Sequence, residues 1–474
     1  MTTLRPIHDG PGFGDADSRL GAGSDAPPAP STTPGEVMRG WPADRRLGVL
    51  YRAGDHAVSR RTVLVSPTEA RFVFAPREGD GLAASPLDEV ERVWASTRRG
   101  RVADQSGPSA GAGDALGSGW LTALSYDLGR WIEPSVGGTG RVGDRPLAAL
   151  QRFEGGLVFD HATGRWSVAG NYGDHLPRFD AGAGERVMDD AQGHRCEREP
   201  ARVRLGAPDD DAGDRYRSSV ARAIEYIRAG DVFQVNLAHA LCGKISGSRR
   251  ELAAALLERS GAWHGSYMEL DDRRAILSLS PELFVDYRHG SRRAVMRPMK
   301  GTRPGALDPG ELARSPKDHA ELAMIVDLVR NDLGRVAEFG SVRVEGERVI
   351  EHHGGRDPAR AVWQGVATIG ATLREGLGPI DIVRAAFPSG SVTGAPKVRA
   401  MQIIDELEDF TRGFYCGSIG VASDTGDLSL SVAIRTAIIE DDRVVFPVGA
   451  GIVAESTPGE EWLETLAKSG VLGA

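Results

Sequence analysis

Lys300, in the run Arg297-Pro298-Met299-Lys300-Gly301-Thr302-Arg303-Pro304, stands immediately before a Gly-Thr step. A lysine there can be a covalent nucleophile if its amine is held neutral. That requires desolvation or a nearby cation to lower the usual lysine pKa of about 10.4. The plainer alternative is a surface lysine beside a turn. Two acid pairs follow. Asp318 and Glu321 are three apart at the start of the apolar-periodic run Glu321-Leu322-Ala323-Met324-Ile325-Val326-Asp327-Leu328-Val329, and Glu461 and Glu464 repeat that spacing near the C-terminus. Each pair therefore emerges from one helical turn. Singly, acids at helix starts merely complement the macrodipole. If the pairs face each other, four negative charges collect and require a cation. Mg²⁺ suits such a site, because it takes one or two protein carboxylates, several waters and oxygen atoms of a substrate.

Glycine-rich runs offer the opposite polarity. Gly390-Ser391-Val392-Thr393-Gly394-Ala395, just ahead of Pro396, can bring backbone N–H groups and the positive end of a helix to an anion. Gly449 and Gly451 let backbone approach a ligand with no Cβ in the way. Taken alone, a glycine-rich loop is usually only a turn.

Several elements have to position these residues. Asp231-Val232-Phe233-Gln234-Val235-Asn236-Leu237 reads as a strand, with Phe233, Val235 and Leu237 on one face and Gln234 and Asn236 on the other. Asp214 can cap a preceding helix whose Tyr216, Val220, Ala223 and Ile227 share a face, with Gly230 ending it. A long helix is expected from Asp318 to Val336, and strands at 61–65 and 70–74. Many short strands with helices between and after them indicate an α+β fold.

Residues 1–37, rich in Gly, Pro, Ser, Ala and Asp, read as a disordered tail. Residues 38–212 form an N-terminal region ending in a polar surface linker from about 180, and 213–474 a catalytic region. A net charge of -9 provides no basic field for nucleic acid or anionic lipid. Three cysteines without paired spacing, Cys196, Cys242 and Cys416, argue against a disulfide framework or a zinc site and fit a reducing cytoplasm. The start lacks an apolar leader segment, and no run reaches the roughly 18 apolar residues that span a bilayer. A soluble cytoplasmic protein with no membrane or nucleic-acid partner is the expectation.

In their order along the chain, the Gln234 strand, Ser280-Pro281-Glu282, Lys300-Gly301-Thr302, the 318–336 helix, Phe387-Pro388-Ser389-Gly390-Ser391-Val392-Thr393-Gly394-Ala395-Pro396-Lys397, Val448-Gly449-Ala450-Gly451 and Glu461-Trp462-Leu463-Glu464-Thr465 resemble the chorismate-binding enzymes. The resemblance is strongest to the branch that aminates C4, the aminodeoxychorismate synthases. Trp120-Leu121-Thr122-Ala123-Leu124-Ser125-Tyr126-Asp127-Leu128-Gly129-Arg130 also resembles the family's N-terminal region. The resemblance implies two packed antiparallel sheets flanked by helices, with the active site between them. It implies that Glu321 and Glu464 reach Mg²⁺ directly, while Asp318 and Glu461 act through water or behind them. It makes Thr302, Thr393, Gly394, Tyr415, Arg435, Gly449, Gly451 and Lys468 the residues that meet chorismate.

By the same resemblance Glu282 is a general acid, protonating the C4 hydroxyl as it leaves. Lys300 adds to C2, and ammonia later adds at C4 and releases the lysine. Relatives that aminate C2, the anthranilate synthases, usually carry alanine where Lys300 stands, and relatives that add water usually carry a lysine base where Gln234 stands. Gln234 cannot deprotonate water, so the pair Gln234 and Lys300 points to ammonia and to C4. One departure is Gln364, where many members have a histidine; it can hydrogen-bond but cannot shuttle a proton at neutral pH. His352 and His353 can stand in for that base, although a polar loop is their simpler reading. No cysteine context looks like a glutaminase nucleophile, so ammonia is expected from a separate glutamine amidotransferase subunit. The competing readings are an anthranilate synthase component and a catalytically silent chorismate-binding subunit.

Overall fold

The computed structural model describes residues 32–54, 60–76, 85–97, 117–137, 142–170, 201–206, 210–354 and 361–472. Most of the expected tail and much of the expected linker lie outside these residues. Where the two are described they are ordered. Thr33 caps a short helix, Pro34–Arg39, that buries Val37 and Met38. The strand Arg202–Leu205, inside the expected linker, pairs with the end of the strand Gln234–Ser246.

Two antiparallel sheets form the body, one of eleven strands and one of ten. The first runs through Gln234–Ser246, Arg443–Ile452, Thr436–Glu440, Arg274–Ser278, Gly265–Glu269, Gly48–Tyr51, Arg61–Val65, Gly155–Asp160 and Arg165–Gly170. The second runs through Met299–Pro304, Val362–Thr372, Arg293–Arg297, Leu283–Arg288, Leu428–Val432, Ser418–Ser423, Gly119–Leu124, Ala148–Phe153 and Glu69–Val73. Their facing sides pack Leu50, Val63, Met268 and Ile276 of one sheet against Leu121, Ala149, Ile419 and Val421 of the other. Helices cover the outer faces. This is the expected α+β arrangement. The N-terminal and catalytic regions contribute strands to the same two sheets, as in Gly48–Tyr51 on Gly265–Glu269 and Gly119–Leu124 on Ser418–Ser423.

Local chemistry explains where the elements stop. The helix Asp210–Ala229 begins one turn before Asp214, and Gly230, with φ of +85°, ends it in a conformation that side chains disfavour. The strand that follows starts at Gln234, not Asp231. Phe233 is therefore no part of the apolar face and is 73 % exposed. Gln234, expected on a polar face, is fully buried like Val235 and Leu237, because helices pack on this strand and the Gln234 amide faces Lys300 of the second sheet across Gly451. The long helix runs Pro316–Gly334, with Ser315 as its N-cap and Pro316 in the first turn. Among the described residues no helix is long and apolar enough to cross a membrane.

Candidate active site

Lys300 lies on Met299–Pro304, a strand of the second sheet. Its pairing with Val362–Thr372 slips between Lys300 and Thr302, and Gly301 occupies that irregularity with φ of +77°. A Cβ on Gly301 would lie 2.8 Å from Asp318 Oδ1, so glycine is required both by its dihedral and by the close helix. Across the cleft, on the first sheet, Gly451 supplies the floor. A Cβ there would stand 3.3 Å from Lys300 Nζ and 2.7 Å from Gln234 Nε2. Lys300, Gln234 and Gly451 thus converge between the sheets.

Lys300 as a residue is half-buried, with its amine deeply enclosed. Burial lowers its pKa, opposed by the charges of Glu321 and then Glu282. Among the described residues the amine makes no hydrogen bond or ion pair. Glu282 is buried to 3 % exposure just before the strand Leu283–Arg288, which rules out a strand-end acid facing water. Burial pushes its carboxyl up to about 7, and the Ser391 hydroxyl and Lys300 pull the other way. Ser391 Oγ donates to Glu282 Oε1 at 2.6 Å, and Ser389 Oγ lies 3.0 Å from Ser391 Oγ.

The two acid pairs divide by partner. Asp318 accepts from Arg303 Nη2 at 2.8 Å, and Glu461 accepts from Ser456 Oγ at 2.5 Å. Glu464 pairs with Lys468 at 2.8 Å, and that ammonium also donates to the Gly449 carbonyl at 2.8 Å. Glu321 has neither hydrogen bond nor ion pair among the described residues. Burial raises the Glu321 and Glu461 carboxyls; on Glu464 burial is outweighed by Lys468, which holds it low. Glu321 and Glu464 are close enough to feel each other's charge. The pairs do not, however, close into a cage: among the described residues no three acids or histidines cluster tightly enough to hold a metal by themselves. The open arrangement, with two carboxylates free of arginine and only hard oxygen donors, fits an ion that keeps much of its water and uses substrate oxygens.

The remaining expected contacts split between lining and scaffold. Gly394, with φ of +149°, pairs with Val235, and a Cβ there would collide with the Gln234 carbonyl, so its role is close strand packing. Thr393 is fully buried, and its hydroxyl donates to Ser389 O at 3.0 Å within its own loop. Tyr415 is buried with its hydroxyl 3.0 Å from where a Gly449 Cβ would be. Arg435, at φ of +52°, has no ion pair or side-chain hydrogen bond among the described residues and is lowered by burial alone, leaving a cation ready for an anion. Lys468, by contrast, is already engaged by Glu464 and Gly449.

Gln364 lies across from Thr302 on one side and Glu351 on the other. Its Nε2 reaches Thr302 Oγ1 at 3.4 Å, and its buried Oε1 has no partner. His352 and His353 are not in a loop; both belong to the strand Arg343–His353. His353 is buried, stacks on Trp263 with centroids 3.9 Å apart, and bonds Glu351 at 3.2 Å, while Arg297 bonds the other oxygen of that carboxylate. Sequence reasoning did not single out Ser391, Arg303, Glu351 or Asn236. Ser391 lay inside a run already under scrutiny, and Asn236 on the polar face of the Gln234 strand, so both carried a signal; Glu351 and Arg303 became legible only through pairing.

In sum, the cleft holds an enclosed amine, a buried acid near neutrality, one unpartnered carboxylate, Glu321, near a second, Glu464, paired only with Lys468, and an arginine with no ion pair among the described residues. Such a set can bind a small dianion and exchange a leaving group on it by acid and nucleophilic catalysis. Comparison with known proteins agrees. The family described as chorismate binding enzyme matches residues 59–472. The chain is 35 % identical over 427 residues to aminodeoxychorismate synthase component 1 of Klebsiella aerogenes, covering 87 % of this chain and 90 % of that one. It is 34 % identical over 428 residues to anthranilate synthase component 1 of Streptomyces coelicolor, covering 86 % and 81 %. The crystal structure of anthranilate synthase component I from Streptococcus pneumoniae superposes with a TM-score of 0.68 at 25 % identity, over 88 % of this chain and 92 % of that one.

Proposed function

The chain belongs to the chorismate-binding enzymes, and from that membership we propose that it aminates chorismate at C4, as component I of an aminodeoxychorismate synthase. The observation that carries this reading is the enclosed Lys300 amine facing Gln234 over Gly451, with Glu282 held near neutrality beside it. Relatives of both branches match at similar identity, so support for the C4 branch comes from these side chains and not from overall likeness.

The chemistry assigned to the residues is balanced. The neutral Lys300 amine forms a bond to C2 of the ring, the C1–C2 double bond moves to C1–C6, the C5–C6 double bond moves to C4–C5, and the C4–O bond breaks. Glu282 gives that oxygen its proton, so it leaves as water. Ammonia then forms a bond to C4, the two double bonds return to C5–C6 and C1–C2, and the C2–Nζ bond breaks with its electron pair leaving on the lysine. The lysine departs as the neutral amine, and the extra proton on the new C4 amine returns to Glu282, restoring both groups. Burial favours the neutral form of both groups, lowering the Lys300 ammonium and raising the Glu282 carboxyl to about 7. Gln234 can hydrogen-bond a nucleophile but has no basicity to activate water.

Glu321 and Glu464 would hold Mg²⁺, with Asp318 and Glu461 behind them in their bonds to Arg303 and Ser456. The ion would neutralise the acid pairs and anchor a carboxylate of the substrate. Arg435 and Tyr415 would take the other anionic end. Ammonia would be supplied by a separate glutamine amidotransferase subunit.

The test is incubation of the protein with chorismate, Mg²⁺ and ammonium, followed by product mass. The expected product is 4-amino-4-deoxychorismate, with pyruvate retained, formed from ammonium and not from glutamine, and lost in Lys300→Ala. Fluorescent anthranilate with pyruvate release, undiminished in Lys300→Ala, would establish C2 amination instead. No turnover at all would leave the silent binding subunit.

A further inference from the structure

Three polar side-chain atoms at the floor of the cleft are buried without a hydrogen-bond partner among the described residues: Gln234 Oε1, Gln234 Nε2 and Asn236 Oδ1. Buried polar atoms are normally paired, so three together on one strand require an account. Gln234 and Asn236 are two apart on the strand Gln234–Ser246 and therefore project from the same face. Asn236 pairs directly with Gly451 across the sheet, and Gly451 is the residue whose missing Cβ leaves space 2.7 Å from Gln234 Nε2 and 3.3 Å from Lys300 Nζ. The backbone of Asn236 is fully committed. Its N–H donates to Thr393 O at 2.8 Å, and its carbonyl accepts from Arg412 Nη2 at 2.7 Å. Only the side-chain amide of Asn236 is left to serve a ligand, on a backbone that cannot shift to satisfy it internally.

We propose that Asn236 and Gln234 together form the binding site for the ammonia nucleophile, over Gly451 and beside Lys300. The inference rests on the amination reading above and adds Asn236 to it. Ammonia has three N–H donors and one lone pair. Two amide oxygens accept two of the donors and leave the lone pair free for the ring. Ammonium has no lone pair to present. Water can occupy the same place, but it must lose a proton to react well, and neither amide can take that proton.

The test is steady-state kinetics with ammonium and chorismate varied separately. Asn236→Leu keeps the branching and the number of side-chain heavy atoms and removes the acceptor. The expected result is a rise of roughly tenfold in KM for ammonium, the size of one lost hydrogen bond, with KM for chorismate unchanged. Asn236→Ser should fall between. Asn236→Ala, which makes room for a methyl group, should raise the rate with methylamine relative to that with ammonium. Equal changes in both KM values, or an unchanged KM for ammonium in all three variants with native melting temperatures, would overturn the inference. Failure of the native protein to aminate chorismate is a separate result, and it would remove the functional reading and this site with it.

Discussion

The Ser391 hydroxyl donates to Glu282 Oε1 across 2.6 Å, tying the glycine-rich loop to the start of the strand Leu283–Arg288. That bond favours the charged carboxylate and opposes the burial that drives Glu282 up to about 7. Ser391→Ala should therefore raise the carboxyl further. Because the acid must be protonated to act, the fall of kcat/KM on the alkaline side should move to higher pH in this variant. A pH profile with the alkaline limb unmoved, or moved down, contradicts the assignment. Glu282→Gln should lose roughly 10²- to 10⁴-fold in kcat at every pH, the usual worth of a general acid.

Glu282 also makes a prediction about folding. Its pKa rises from 4.5 in the unfolded chain to about 7 in the folded protein. The stability it contributes is complete below pH 4.5 and lost as the pH climbs through 7, because the unfolded chain ionises first. Glu282→Gln should consequently be more stable than the native protein at pH 8, by on the order of 3 kcal/mol, with the gap closing toward pH 5. Thermal melts of both proteins at the two pH values measure this. An equal gap at both would show that Glu282 keeps an ordinary carboxyl pKa.

Gly451→Ala probes the space between the sheets. The added methyl would sit 2.7 Å from Gln234 Nε2 and 3.3 Å from Lys300 Nζ, both flexible ends that can move aside. Folding should survive, while displacement of the amine by about 1 Å costs about 100-fold in kcat. Full activity with an unchanged melting temperature would place the reaction elsewhere.

The acid pairs should respond unequally to metal. Glu321→Gln and Glu464→Gln should abolish measurable Mg²⁺ binding in a calorimetric titration. Asp318→Asn, which loosens a carboxylate already held by Arg303, should weaken it by about 10- to 100-fold, as supporting residues do. Chelation of Mg²⁺ should stop turnover of the native protein. Equal effects of all three substitutions would mean that Asp318 is itself a ligand.

The α+β class was legible from many short strands with helices between and after them, whereas the two packed sheets and most of the residues expected in the cleft came from the resemblance to the family. The apolar-periodic run from Glu321 announced the long helix, although not its start at Pro316, Lys300 was singled out by the Gly-Thr step after it, and Gln234 was flagged by its strand. Partners were not legible, because pairing is a tertiary fact. Nothing near Asp318 in the chain says that Arg303 occupies its carboxylate, and nothing near Glu282 names Ser391, 109 positions away. Thr393 and Lys468 illustrate the converse. Both were expected to meet the substrate, and nothing in the sequence showed that the Thr393 hydroxyl also bonds within its own loop or that Lys468 also ties a helix to a strand. Phe233 followed its alternation correctly and still ended exposed, since the strand begins one residue later.

The interleaving of the sheets bears on how the protein is made. Gly48–Tyr51 pairs with Gly265–Glu269, and Gly119–Leu124 with Ser418–Ser423. Early strands must therefore wait on the ribosome, edges unsatisfied, until distant sequence emerges. Each region, taken without the other, would present bare strand edges that the intact chain keeps covered.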